Sequence, residues 1–529
     1  MQRRPWRVRS VWLISFVTAA LAAKGAWAAE LYVDPVMGSD AGDGSAAKPW
    51  KTLEQVAKSG AFGTKIMAGD TVWLRSGYHG APTLGGGEFS PPITVAAATG
   101  AKPTVSHVVF NGAKGWTLRG LSISPSHAPT PMNGDTMVTV DGTSARVVIE
   151  DNELFSVADA SSWGATEWID VASSGISVRG TEVTVRRNNL SNVRFGISVD
   201  GASALVEHNR IVDFSADGMR GLGDDGVFQY NLVKNVHVDD TAGDDNHDDG
   251  FQSWSVGPGG VGTGVVKGVV LRGNVFINRE DPNQKLPNAM QGIGCFDGTF
   301  EGWVVENNVV VTDHWHGISF YGMRNSRIVN NTVIDVNDVT PGPPWIMVTA
   351  HKDGTPSQDV IVRNNLATDF QLEGTNVTDD HNATLTDLSM FFVDPAAFDL
   401  HLLPGAPAVD TGSADMAPAL DIEGIARPQG KGVDLGAFEW HEPTVMPVDG
   451  GPFGGGGDAG TSMDASASGS GGHGGSGGEG GSASSPGASS GCGCTTEGRS
   501  TPNRAWALVA LGLVWARRAR RRAVARINA

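Results

Sequence analysis

The sequence predicts an all-β chain wound as a right-handed parallel β-helix, a solenoid of stacked coils, on three observations. First, an apolar residue recurs three places before an asparagine in VIEDNEL, VRRNNL, VEHNRI, FQYNLV, LRGNVF, VVENNVV, IVNNTV and IVRNNL, with the asparagines at 152, 188, 209, 231, 274, 307, 331 and 364. Second, the shorter steps between them, 21 to 24 residues, have the length of one coil, and self-similarity at a fixed period of this size marks a repeat architecture. Third, the runs between the asparagines are short, β-branched and alternate with period two between Gly and Asn, which favours strands over helices.

Each element follows from this repeat. Stacked asparagines are expected at the turns, because Asn tolerates left-handed backbone and bonds its own main chain. A second column of repeats, FGISVDG, ADGMRGL, DDGFQSW, QGIGCFD and HGISFYG, aligns the glycines 196, 218, 250, 292 and 317. Ile197, Met219, Phe251, Ile293 and Ile318 then face the core. Period two turns Arg220, Gln252, Gly294 and Ser319 outward in one row and Leu222, Trp254, Phe296 and Tyr321 in the next. The residues before the glycines, Asp217, Asp249, Gln291 and His316, sit where the chain turns into the strand.

The ends frame this region. Residues 1–29 run from Arg3, Arg4, Arg7 and Arg9 through VWLISFVTAALAA to Ala26-Trp27-Ala28, the pattern of a secretory signal. Residues 30–441 form one β-helix domain, residues 442–491 are a Gly/Ser-rich flexible tether, and residues 492–529 are a C-terminal sorting or anchor segment. The run AWALVALGLVWA in that segment, followed by a short arginine cluster, reads as a short helix, well below the ~20 residues of a membrane span. Formal charge is -18 and both ends are basic, so the central region is more acidic still. That disfavours nucleic acid as a partner. Of three cysteines only Cys295 lies in the folded region, so no disulfide framework supports it. The domain is expected to be a monomer, exported and held at the cell surface or outer membrane, touching membrane only through its tail.

Loop lengths locate a site. From the asparagine marker to the aligned glycine takes 8 to 10 residues in the coils of Asn188, Asn209 and Asn307, but 19 from Asn231 and 18 from Asn274. Two neighbouring coils therefore carry insertions at one turn, DDTAGDDNHDDG and NREDPNQKLPNA, which should wall a cleft. Neighbouring strands lie about 4.8 Å apart, so Asp217 on one coil and Asp248 and Asp249 on the next can converge. Carboxylates so close raise one another's pKa unless a cation lies between them. Calcium suits an all-oxygen set better than zinc, since His247 stands without a thiolate or a second histidine at ligand spacing. The outer residues Asp239, Asp240, Asp244 and Asp245 read as a solvated loop.

Several segments resemble known families. LYVDPVMGSDAGDGSAAKPWKTLEQVA is similar to the N-terminal segment of exported β-helix proteins, and FDLHLLPGAPAVDTG with DIEGIARPQGKGVDLGAFEW to their closing segment. The tail, GCGC followed by apolar and basic runs, resembles myxobacterial C-terminal sorting signals, which implies processing near Cys492 or Cys494. ADGM at 216–219 and DDGFQ at 248–252 resemble the calcium-dependent pectate lyases of polysaccharide lyase family 9. That resemblance implies Ca2+ on Asp217, Asp248 and Asp249, with Gln252 replacing the last ligand and Gly294 standing where the family has its catalytic lysine.

Elimination from a uronate-containing polysaccharide needs the sugar carboxylate neutralised and a base on the same face. Arg220 and Lys285, with His247 and His316 behind them, are the candidates for base or auxiliary cation. Epimerisation shares that chemistry. ADGM, HDDG and HGISFYG also resemble polygalacturonases, which implies hydrolysis by Asp217 with Asp248 or Asp249 as acid and base. Gln252, Trp254, Phe296 and Tyr321 would bind sugar. A non-catalytic adhesin or glycan-binding scaffold is the remaining class.

Overall fold

The computed structural model describes residues 28–131, 134–239, 246–337 and 339–442. The signal segment, the tether, the tail with its expected helix, and Asp240, Asp244 and Asp245 lie outside the described residues, except for the junction residues of the two ends. Among the described residues no helix is long and apolar enough to cross a membrane.

Each coil supplies one strand to each of three faces. In one coil these are Thr184–Arg186, Asn189–Val193 and Ile197–Val199; in the next they are Leu205–Glu207, Arg210–Phe214 and Met219–Gly221. All three pair in parallel with their counterparts one coil on. The chain is a right-handed parallel β-helix. The face that carries the site runs through β1 (Ile197–Val199), β2 (Met219–Gly221), β3 (Asp249–Trp254), β4 (Gln291–Asp297), β5 (His316–Tyr321) and β6 (Trp345–Thr349).

The register on this face is the one the glycines predict. Ile197 pairs with Met219, Met219 with Phe251, Phe251 with Ile293 and Ile293 with Ile318, and all five are fully buried. Removing each such side chain from water contributes roughly 1.5–3 kcal/mol. The glycine column is needed for close approach between rungs. A Cβ on Gly196 would stand 2.2 Å from the Gly218 carbonyl oxygen, and one on Gly292 would stand 2.2 Å from that of Gly317.

The asparagine column differs from expectation at two places. The stacked residues are Asn152, Asn188, Asn209, Asn231, Asn274, Asn308, Asn331, Asn365 and Asn382, so Asn307 and Asn364 give way to their neighbours. From Asn188 onward each Oδ1 accepts both the backbone N–H and the side-chain N–H of the asparagine one coil before, at 2.9–3.1 Å, while Asn152 Oδ1 accepts the Leu121 backbone N–H at 3.0 Å. Left-handed backbone belongs to the preceding residue instead: Asp151, Arg187, His208, Tyr230, Asn307, Asn330 and Asn364 all have φ between 52° and 57°. The stacked side chains are thus selected for their amide, which can donate and accept at once.

The N-terminal end carries helix α1 (Leu53–Lys58), capped by the Thr52 hydroxyl, which buries Leu53 and Val56. The closing segment of the sequence lies along the flank instead: Leu400, Leu402 and Leu435 pack in a separate apolar cluster with Ile277, Val309, Ile334 and Leu366 of four successive rungs. Asn307 and Asn364, displaced from the column, donate to the Leu420 and Ser413 carbonyls of this closing segment.

Candidate active site

The turn leading into β3 and β4 carries the two long loops read from the sequence, and two more stand at the same turn. Residues 156–173 include helix α2 (Ala165–Asp170), and residues 335–344 precede β6. The turns into β1, β2 and β5 are short, so the long loops rise on either side of them.

Asp217 and Asp249 stand on adjacent rungs and meet: the Asp249 backbone N–H donates to Asp217 Oδ1 at 3.1 Å. Arg220 Nε donates to Asp217 Oδ2. Its guanidinium lies 4.1 Å from the Phe195 ring centre and 5.2 Å from that of Trp254, and Nη2 donates to Asn246 Oδ1 at 2.9 Å. Asn246 in turn reaches Asp217 Oδ1 at 3.3 Å and Asp248 Oδ1 at 3.4 Å. Gln252 Nε2 donates to Asp249 Oδ2 at 2.9 Å. Asp249 is wholly buried, and its Oδ1 has no hydrogen-bond partner.

Gly294 explains how that oxygen fits. A Cβ at residue 294 would stand 2.1 Å from Asp249 Oδ1 and 2.7 Å from the Phe296 ring. The bare backbone makes room for the carboxyl, and any side chain here would displace it.

These surroundings push the two carboxyls apart in acidity. Burial holds Asp249 well above the ordinary carboxylate range, and the charges of Asp217 and Asp248 push it further. Burial also raises Asp217, but Arg220 and the Asp249 N–H oppose that rise. Asp249 therefore takes the proton first and Asp217 keeps the charge, as a coupled pair.

The oxygen-rich set has the chemistry calcium prefers, yet its arrangement does not fit three-carboxylate ligation. Arg220 occupies Asp217 Oδ2 and Gln252 occupies Asp249 Oδ2. Among the described residues no three acidic, histidine or cysteine side chains are grouped to hold a metal ion.

The other predicted residues divide. Lys285 is turned away: its Nζ donates to the Trp163 carbonyl at 2.8 Å, because Leu286 beside it anchors the loop against Trp163 and Trp168. It lines a different cavity of about 360 Å³ with His237 and Glu280. His247 is exposed and lies near His314 and His316, opposing their protonation. His316 bonds Ser319 and Trp345, and burial lowers its pKa to about 3, too weakly basic to abstract a proton efficiently. Phe296 does not join an exposed sugar track. The register slips between Ser253 and Trp254, so Trp254 pairs with Asp297; Phe296 keeps to the outer row but is covered there by His316 and Tyr321, leaving it 8% exposed. Trp254 and Tyr321 remain partly exposed.

Sequence reasoning missed Phe195, Asn246, His314, Trp315 and Trp345. Asn246 stood inside the acidic stretch, overlooked among its charges, and DHWHG displayed His314 and Trp315 directly before an aligned glycine.

Residues 174–342 match the family described as right handed beta helix region. No curated protein matches the chain. Among solved structures the chain is similar to pectate lyase Pel9A, with 14% identity, a TM-score of 0.47, and coverage of 78% of this chain and 96% of that one. XylC in complex with xylose gives 12%, 0.47, 78% and 98%. The A-module of the mannuronan C-5 epimerase AlgE6 of Azotobacter vinelandii gives 13%, 0.34, 63% and 93%. The strand pairing of this chain and the matched segment establish the fold.

Proposed function

We propose that this protein is a polysaccharide-active β-helix protein that hydrolyses glycosidic bonds on the face over β2 and β3. One observation carries the reading: Asp249 is a wholly buried carboxyl with a partnerless Oδ1, a setting that raises its pKa, beside an aspartate whose Oδ2 is bound by the Arg220 guanidinium. Paired carboxyls whose surroundings separate their acidities supply an acid and a base to one reaction. Asp249 donates its proton to the glycosidic oxygen as the bond to the anomeric carbon breaks. Asp248, the least buried of the three, takes the proton of the water whose oxygen bonds to the anomeric carbon. Asp217 positions Arg220 and the Asp249 backbone and keeps Asp249 protonated by its charge. Substrate reaches Asp249 by displacing Gln252, at the cost of one hydrogen bond, about 1–3 kcal/mol.

Calcium-assisted elimination, or the related epimerisation of uronates, is the second reading. It is favoured by the motif match and by the partnerless Asp249 Oδ1. It is opposed by the fate of three candidate bases or cations: Gly294 admits no lysine, Lys285 faces elsewhere, and Arg220 is engaged.

The test incubates purified protein with xylan, polygalacturonate and alginate, with added calcium or with chelator. Reducing ends that appear in chelator without ultraviolet-absorbing unsaturated product support hydrolysis. Unsaturated product that requires calcium would replace it with elimination. Binding without either product would leave the scaffold class. Export and surface tethering through the tail belong to the same proposal, and fractionation of cells expressing chains with and without residues 492–529 tests them.

A further inference from the structure

We propose a sugar-binding subsite at the start of β5 and β6, in which a pyranose ring packs on Trp315 while His316, fixed with its proton on Nε2, donates to a ring or hydroxyl oxygen. This rests on the glycan reading above but not on its bond-breaking chemistry.

The tautomer follows from three contacts. The Trp345 indole N–H, which can only donate, points at His316 Nδ1 at 3.3 Å and at Ser319 Oγ at 3.2 Å. Ser319 is wholly buried, and the acceptor within reach of its hydroxyl is His316 Nδ1, at 2.9 Å. A buried hydroxyl finds an acceptor, so Nδ1 receives hydrogen bonds and the ring proton sits on Nε2. Nothing charged is needed: His314 stacks 5.4 Å away at 25°, His247 lies near both, and burial keeps His314 and His316 neutral down to about 4 and about 3.

The aromatic part is equally defined. Trp315 is 40% exposed, among the largest exposed apolar side chains of the described residues, and lies nearly parallel to Trp345, with planes at 12° and ring centres 6.1 Å apart. Phe296 and Trp345 meet His316 edge-on at 4.8 Å and 5.3 Å and fix its plane. An exposed indole face beside a neutral N–H donor suits the C–H face and hydroxyls of a sugar. β5 lies two rungs from β3 along the pairing β3–β4–β5, about 10 Å, so a chain laid along the solenoid axis passes both this subsite and Asp249.

The experiment measures binding of xylohexaose and hexagalacturonate by calorimetry in an Asp249→Asn parent that does not consume them. Trp315→Ala and His316→Ala are each expected to weaken binding about tenfold, and His316→Gln, whose amide places a donor where Nε2 stood, to retain affinity within about threefold, tenfold being about 1.4 kcal/mol. Nitrogen NMR of labelled histidine should show the Nε2–H form for His316 and no titration between about pH 5 and 8. Parent-like affinity in folded Trp315→Ala and His316→Ala, or an Nδ1–H ring, would overturn the subsite while leaving the glycan reading intact. Failure of both sugars to bind the parent would overturn the glycan reading and the subsite with it.

Discussion

Asp249→Asn separates the chemistry of the site from its architecture. The change keeps size and shape, leaves the backbone N–H on Asp217 and the neighbouring Gln252 in place, and removes the titrating proton. Activity should fall by about 10²–10⁴-fold, the contribution of a positioned general acid. Stability should respond in a way that depends on pH. The folded-state pKa of Asp249 is raised above its unfolded value, which is about 3.9. Its favourable contribution is therefore complete below about pH 4 and is lost as pH rises through the folded value. Across that interval each pH unit costs about 1.4 kcal/mol per proton that the folded state retains. Asp217 titrates with Asp249, and the asparagine also relieves its repulsion, so the difference measures the pair. Asp434, raised to about 6 in the closing segment, has the same sign but is common to both proteins and cancels. The assay is urea unfolding of both proteins from about pH 4 to 8. Wild type should lose stability relative to the variant as pH rises. A difference that stays flat over this range, or a variant with full turnover, would refute the assignment of the proton to Asp249.

Other perturbations test the same arrangement from different sides. Gln252→Leu removes a hydrogen bond that lowers the Asp249 pKa, so the alkaline limb of kcat/KM against pH should move upward; a downward move would contradict it. Gly294→Lys should lower stability by about 1–3 kcal/mol through overpacking against Asp249, and should create no elimination activity. Asn231→Leu orphans the backbone and side-chain N–H of Asn209 and the Val206 carbonyl, and should cost about 3 kcal/mol or more in denaturant unfolding. Lys285→Ala should leave kcat/KM unchanged, because the ammonium serves the residue 162–163 backbone and not the carboxylates.

The parts legible in the sequence are those that repeat. A glycine column, an inward apolar residue after each glycine and a short step between asparagines constrain every rung at once, so the register of β1 to β5 could be read directly. Ambiguity entered where the repeat offered two equivalent choices. In VVENNVV and IVRNNL both asparagines follow apolar residues, and only burial tells them apart: Val305 and Val362 point inward, while Val304 and Ile361 do not. The slip after Ser253 was hidden for a similar reason, since an irregularity leaves composition unchanged, and so was the covering of Phe296 by His316 and Tyr321, which takes it out of any exposed track.

Loops carried the other limit. Their lengths reveal that something is built at one turn, but their direction is set by what their apolar residues find. Leu286 finds Trp163 and Trp168 on a loop that precedes it by more than a hundred residues, and Lys285 leaves the carboxylates with it. Asn246 follows the opposite course: it bridges Arg220, Asp217 and Asp248 and joins its loop to the site. A rung fixes where a strand residue stands; a loop residue stands where its best partner is. The convergence of Asp217 and Asp249 could therefore be derived from spacing alone, whereas the choice between a lysine base and a buried acid needed the coordinates. That choice turns on Gly294, whose missing side chain leaves the space that the Asp249 carboxyl fills.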